Sequence, residues 1–317
     1  MFRVTRLTIA AMFAALWCQP AQMNRVRREA NIRMDVNLIL VPVTVTDRRG
    51  ATVTGLDRRQ FQVFENKVEQ PIVTFTQEDS PVSVGVIFDL SGSMKNKVEE
   101  ARRSSAALFK KASADDEAFL ITFSTHPESP TGFTSDFEVI QAGIGRKAGG
   151  STALVDAVYL ALNRMRNAHN ARRALVVISD GMDNHSRYTR PELLTLAKEA
   201  DVQIYSIALF DPSGPRKAIE LAQERKGVAL LEDLSRVSGG LHFSINATAD
   251  IPPVAEKIGT ALHNVYVIGY HPRGGMEGFR KIQVKATIPN VRLATRPGYY
   301  AAPSGSLPPR EERLMRP

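Results

Sequence analysis

The chain has 317 residues, of which 43% are hydrophobic and 23% charged, with one cysteine and a formal charge of +8. That length and apolar content suffice for more than one compact unit and exclude wholesale disorder. No apolar run reaches the roughly 20 residues needed to span a bilayer, which excludes a polytopic membrane protein. A single cysteine excludes a disulfide framework or a zinc ribbon.

Arg3 and Arg6 precede the apolar stretch from Leu7 to Cys18, which Gln19-Pro20-Ala21 ends on a small residue. A basic start, a short apolar core and a small-residue exit predict a secretory signal peptide over residues 1–21. The chain is therefore expected to be exported, periplasmic or secreted, with membrane contact only through an uncleaved signal. A lipid anchor on Cys18 is disfavoured by the bulky Trp17 before it. Cleavage after Ala21 would remove two positive charges and leave +6. The remaining basic residues are scattered and sit in no nucleic-acid motif, so nucleic acid is not an expected partner.

From Asn37 the sequence alternates with period two, placing Val41, Val43 and Val45 on one face, until Asp47-Arg48-Arg49-Gly50 turns the chain. Phe61 to Glu65 and Ile72 to Phe75 repeat the alternation around a turn at Glu65-Asn66-Lys67. The period then changes. Val82 to Phe88 is a nearly continuous apolar strand, as expected of a strand buried on both faces. Helices are predicted over Val98–Lys111, Phe137–Ile144, Ser151–Met165, Pro191–Ala200, Ala229–Val237 and Ile251–His263. Strands are predicted over Ala118–Phe123, Ala174–Ile178, Val202–Leu209 and Leu241–Ile245. This alternation predicts an α/β fold over residues 82–263, an open, mostly parallel sheet with helices on both faces. After His263 the period returns to two. The N-terminal β segment (37–80) and the C-terminal one (264–301) are expected to form one small β-sandwich into which the α/β unit is inserted. Residues 302–317 read as a disordered tail.

The first buried strand runs into Asp89-Leu90-Ser91-Gly92-Ser93. Side chains at i, i+2 and i+4 point to one side of a strand and of the turn leaving it, and Gly92 is expected to allow a tight bend. Ligands of parallel sheets bind at such carboxyl ends. Asp-x-Ser-x-Ser alone is a weak signal, equally readable as an Asp cap followed by turn serines. Two features strengthen it. Gly149-Gly150-Ser151-Thr152 offers Thr152 from a glycine loop, and the strand 175–179 ends in Asp180-Gly181. Three segments thus deliver only oxygen donors to one edge of the predicted sheet. Such a set selects a hard cation, Mg²⁺ first, with Mn²⁺ or Ca²⁺ as alternatives. Neutral hydroxyls leave the metal electrophilic, and an acidic group of a protein partner is its natural completion.

Asp89, Ser91, Ser93, Thr152 and Asp180 resemble the metal-ion-dependent adhesion site of von Willebrand factor type A domains. The resemblance covers about Val82 to His263 and implies a doubly wound, Rossmann-like sheet with Asp89 and Asp180 on adjacent central strands. It further implies that Ser91 and Ser93 bind the metal directly, and Thr152 and Asp180 directly or through water. The flanking segments, with Gly55-Leu56 before Phe61-Gln62-Val63-Phe64-Glu65 and Arg296-Pro297-Gly298-Tyr299 at the close, look like those of an acidobacterial-type family of such proteins. Asp183 and Asn184 are candidates for a supporting shell, though a turn role is the commoner use. The six histidines are dispersed, and no His-Glu-x-x-His helix, P-loop or Gly-x-Ser-x-Gly frame is present. The expectation is a non-catalytic binding protein. The alternatives are a metal-assisted hydrolase and a structural envelope protein whose metal is only a staple.

Overall fold

A computed structural model describes residues 38–145, 148–209, 218–273 and 278–301. The expected signal peptide and C-terminal tail lie outside these residues. Three sheets organise the described residues. The central one has six strands: β5 (Val82–Asp89), β6 (Glu117–Phe123), β7 (Pro127–Glu128), β8 (Arg172–Ser179), β9 (Gln203–Leu209) and β10 (His242–Ile245), in the order β10-β9-β8-β5-β6-β7. All pairings are parallel except the short edge strand β7.

Every residue of β5 is buried, as its unbroken apolar run requires. Val84, Val86 and Phe88 face one core, shared with α1 (Val98–Leu108), α2 (Phe137–Gly143) and α6 (Ile251–Leu262). Ile87 faces a second core, shared with α3 (Leu154–Arg164), α4 (Arg190–Glu199) and α5 (Ala218–Ser238). Helices therefore cover both faces, and the chain winds outward from β5 in both directions. The strand order reverses between β5 and β8, which opens a crevice at their carboxyl ends.

The outer segments pair with one another. β1 (Ile39–Asp47) lies between β11 (Val265–Tyr270) and β13 (Val291–Ala294), with β4 (Thr74–Glu78) beyond β11. β2 (Phe61–Glu65) lies between β3 (Val68–Gln70) and β12 (Gly278–Ala286), with β14 (Gly298–Ala301) beyond β12. Both four-stranded sheets feed one core, in which Val41, Val43 and Val45 meet Phe61, Val63, Tyr266 and Ile282. Within it, Glu65 Oε1 accepts from Arg280 Nη1 at 2.8 Å. Glu65 Oε2 accepts from the hydroxyls of Tyr270 at 2.7 Å and Tyr299 at 2.9 Å.

Several expected elements shift. The strand read over Ile72–Phe75 is replaced by β3 and β4, because Asn66 (φ 48°) and Lys67 (φ 71°) close a two-residue hairpin whose return strand starts at Val68. The helix read over Ser151–Met165 begins only at Leu154, and Thr152 remains in the preceding loop. The helix read over Ala229–Val237 begins at Ala218. Gly227 lies inside α5 where the loop after β8 presses on the helix: a Cβ at Gly227 would sit 1.6 Å from the Gly181 carbonyl oxygen. β7 is too short to leave a periodic signature.

Candidate metal centre

The crevice between β5 and β8 collects the acidic residues. Asp89 ends β5 and is fully buried. Its Oδ1 accepts the Ser91 N–H at 2.8 Å and its Oδ2 accepts the Ser179 hydroxyl at 2.5 Å. Ser179 in turn accepts the Gly181 N–H at 2.9 Å. Asp180, one residue past β8, is also fully buried. Its Oδ1 accepts the Met182 N–H at 3.3 Å. Its Oδ2 has no hydrogen-bond partner among the described residues, and Lys97 Nζ stands 3.8 Å away. Burial, and then the Asp180 charge, push the Asp89 carboxyl up to about 7, against the lowering pull of Ser179 and Ser91.

The hydroxyl donors come from two further loops. The Ser91 and Ser93 hydroxyls are 3.1 Å apart, the first buried and the second exposed. Thr152 is buried, and its backbone is fixed from the far side of the crevice. Its N–H donates to Asn184 Oδ1 at 2.9 Å, and its carbonyl accepts the N–H groups of Asn184 and His185, each at 3.0 Å. The glycine loop is tied to the first loop by Gly149 N–H on the Leu90 carbonyl (2.8 Å) and by Gly92 N–H on the Gly150 carbonyl (3.2 Å). Gly150 has φ +85°, and a Cβ there would meet Thr125 Oγ1 at 2.6 Å. Direct backbone bonds therefore bring the loops carrying Asp89, Ser91, Ser93, Thr152 and Asp180 to one edge.

Two sequence expectations change here. Gly92 is absent from the positive-φ glycines; its N–H fastens the glycine loop, and no unusual backbone conformation is involved. Asp183 and Asn184 are not simple turn residues. Asp183 Oδ1 accepts the Val155 N–H at 3.3 Å, so together with Asn184 it caps the start of α3 and holds Thr152. Ser179 and Lys97 were not read from the sequence as site residues. A serine ending a buried strand next to Asp180 is a signal for the first; only the fold reveals the second. Of the dispersed histidines, His126 and His185 meet with ring centroids 5.5 Å apart. Among the described residues no three His, Cys, Asp or Glu side chains form a group that could hold a metal. Any cation at this edge would therefore rely on two carboxylates and on hydroxyls. That donor set fits a hard ion. Two buried carboxylates, one with an unbonded oxygen, need positive charge near them.

Residues 84–182 match the family model of the von Willebrand factor type A domain, a span that contains all five candidate donors. An uncharacterized protein of Borreliella burgdorferi is 22% identical over 181 residues, 51% of this chain and 53% of its own, so the chain spans about half the length of that curated relative. A von Willebrand factor type A structure from Catenulispora acidiphila is 13% identical, with a TM-score of 0.50 over 83% of this chain and 74% of that one. Proximal thread matrix protein 1 from the mussel byssus, solved with a zinc-occupied MIDAS motif, is 13% identical with a TM-score of 0.48 over 63% of this chain and 49% of that one. The matched residues run from β5 through β8 to the loop holding Asp180, inside a doubly wound α/β unit: over residues 84–182 the chain matches a von Willebrand factor type A domain.

Proposed function

We propose that the chain is an exported, non-catalytic binding module. It holds a divalent cation at Asp89, Ser91, Ser93, Thr152 and Asp180 and docks an acidic side chain of a protein partner there. The observation that carries this reading is the buried Asp180 Oδ2, left without a hydrogen bond beside a second buried carboxylate. An acid pair in that environment is costly without a cation. Bound there, an ion of the Mg²⁺ class supplies a Lewis-acidic position for a partner carboxylate oxygen. The protein's part is orientation. Ser179 and the Ser91 N–H hold both oxygens of Asp89, Met182 holds one oxygen of Asp180, and Asn184 with the His185 N–H fixes the backbone of Thr152.

Hydrolysis is disfavoured because a general base needs a carboxylate that the metal does not use, and in this reading both Asp89 and Asp180 are committed to the cation. Export rests on the sequence of residues 1–21. Calorimetric titration of Mg²⁺ and Mn²⁺ into wild type and Asp89→Ala tests the cation. Binding to wild type that is lost in the variant is expected, and equal affinity in both overturns the reading. Capture of a protein from envelope extract that ceases in chelator separates a docking module from a metal used only as a staple.

A further inference from the structure

Lys97 opens α1, three residues after Met94. Its backbone is fixed at both ends: its N–H donates to the Met94 carbonyl at 2.8 Å, and its own carbonyl accepts the Ala101 N–H at 3.0 Å. The side chain is only 17% exposed and puts Nζ 3.8 Å from Asp180 Oδ2. That separation is close enough for strong attraction in a poorly hydrated site, yet too long for a hydrogen bond. The ammonium therefore offsets the charge of Asp180 while leaving the lone pairs of Oδ2 unused. Beyond Lys97 lies a cavity of about 700 Å³, which it lines with Ser93, Asn96, Met182 and Asn246. The side chain thus has room to swing away from Asp180 without disturbing the helix that carries it.

We infer that Lys97 is a built-in counter-ion that competes with the divalent cation for Asp180, setting the metal affinity of the site and withdrawing toward the adjacent cavity when metal is held. This rests on the proposed cation site and adds to it an opponent supplied by the chain itself. With the metal absent, the lysine is the positive charge nearest to Asp180 Oδ2, 3.8 Å away. With the metal present, two cations share one carboxylate, and their repulsion weakens metal binding. The ammonium, which lines the cavity, is then a second positive group for an arriving acid.

The experiment is calorimetric titration of Mg²⁺ and Mn²⁺ into the full chain as wild type, Lys97→Met, Lys97→Gln and Lys97→Arg, with melting temperatures recorded in chelator. Removing the charge is expected to tighten metal binding on the order of tenfold at low salt, by a smaller factor at high salt. Lys97→Arg should stay near wild type. In chelator, Lys97→Met and Lys97→Gln should melt below wild type, because Asp180 has lost its counter-charge. A wild type that binds either ion while Lys97→Met and Lys97→Gln bind it equally or more weakly overturns the inference and leaves the cation site standing. A wild type that binds neither ion overturns both.

Discussion

Two buried carboxylate clusters in this protein differ in one respect that separates structure from function. In the core shared by the outer sheets, Glu65 has a matched set of donors: the Arg280 guanidinium on one oxygen and two tyrosine hydroxyls on the other. Its partners come from β11, β12 and β14, so a single charge ties strands from both ends of the chain. At the carboxyl edge of the central sheet, Asp89 and Asp180 face each other with hydroxyl and amide donors, one unbonded oxygen, and a lysine that approaches without bonding. The first cluster is complete within the chain. The second is not, and incompleteness at a sheet switch point is what a ligand site requires.

That contrast breaks most visibly at Glu65. Glu65→Ala leaves the guanidinium of Arg280, itself buried, without its counter-charge and should destabilise the fold by about 3–5 kcal/mol, read as a lower denaturant midpoint. If the variant loses less than about 1 kcal/mol, the cluster is not a structural tie. The acid pair should respond in the opposite direction. Without metal, the Asp89 carboxyl is raised from 3.8 to about 7. The folded protein then binds a proton more tightly than the unfolded chain does. This contribution is fully present below about pH 4 and is lost as the pH rises through about 7. Asp89→Asn keeps the neutral form at every pH. In chelator it should exceed wild type by roughly 2–4 kcal/mol at pH 8, with the gap closing toward pH 4. A gap independent of pH would mean that Asp89 does not titrate in this range. In saturating Mg²⁺ the order should reverse, since only wild type gains the linkage stabilisation, about 2.7 kcal/mol at a hundredfold excess over Kd.

Much of this was legible in the residues. The all-apolar run Val82–Phe88 reads as a doubly buried strand and is one. The alternation of strand and helix reads as a parallel sheet, and the register Phe88 opposite Ile178 places Asp89 and Asp180 at neighbouring strand ends. What the sequence hid depends on close approach between distant segments. The start of α5 at Ala218 goes unread, and Gly227 lies within that helix at a point where the Gly181 loop leaves no room for a side chain. Arg280 sits in an alternating strand among solvent-facing lysines, and nothing local marks it as the buried partner of Glu65, more than 200 positions away. Lys97 escapes for the same reason: its relation to Asp180 exists only once β5 and β8 are side by side.

The smallest expected effect falls on Ser179, which belongs to neither the acid pair nor the proposed hydroxyl ligands. Its hydroxyl donates to Asp89 Oδ2 and its oxygen accepts from the Gly181 N–H, so one small side chain orients the first carboxylate and pins the loop bearing the second. Ser179→Ala removes both bonds while keeping the strand. Asp89 loses a donor that favours its ionised form, and its carboxyl should move still higher. Metal binding must then displace a more tightly held proton and should weaken about tenfold near neutral pH, the lower end of what supporting-shell changes cost. The loss should shrink at pH 9, where Asp89 is ionised in both proteins. A loss that stays constant between pH 7 and pH 9 would assign Ser179 to holding the Gly181 loop, with the charge of Asp89 unaffected.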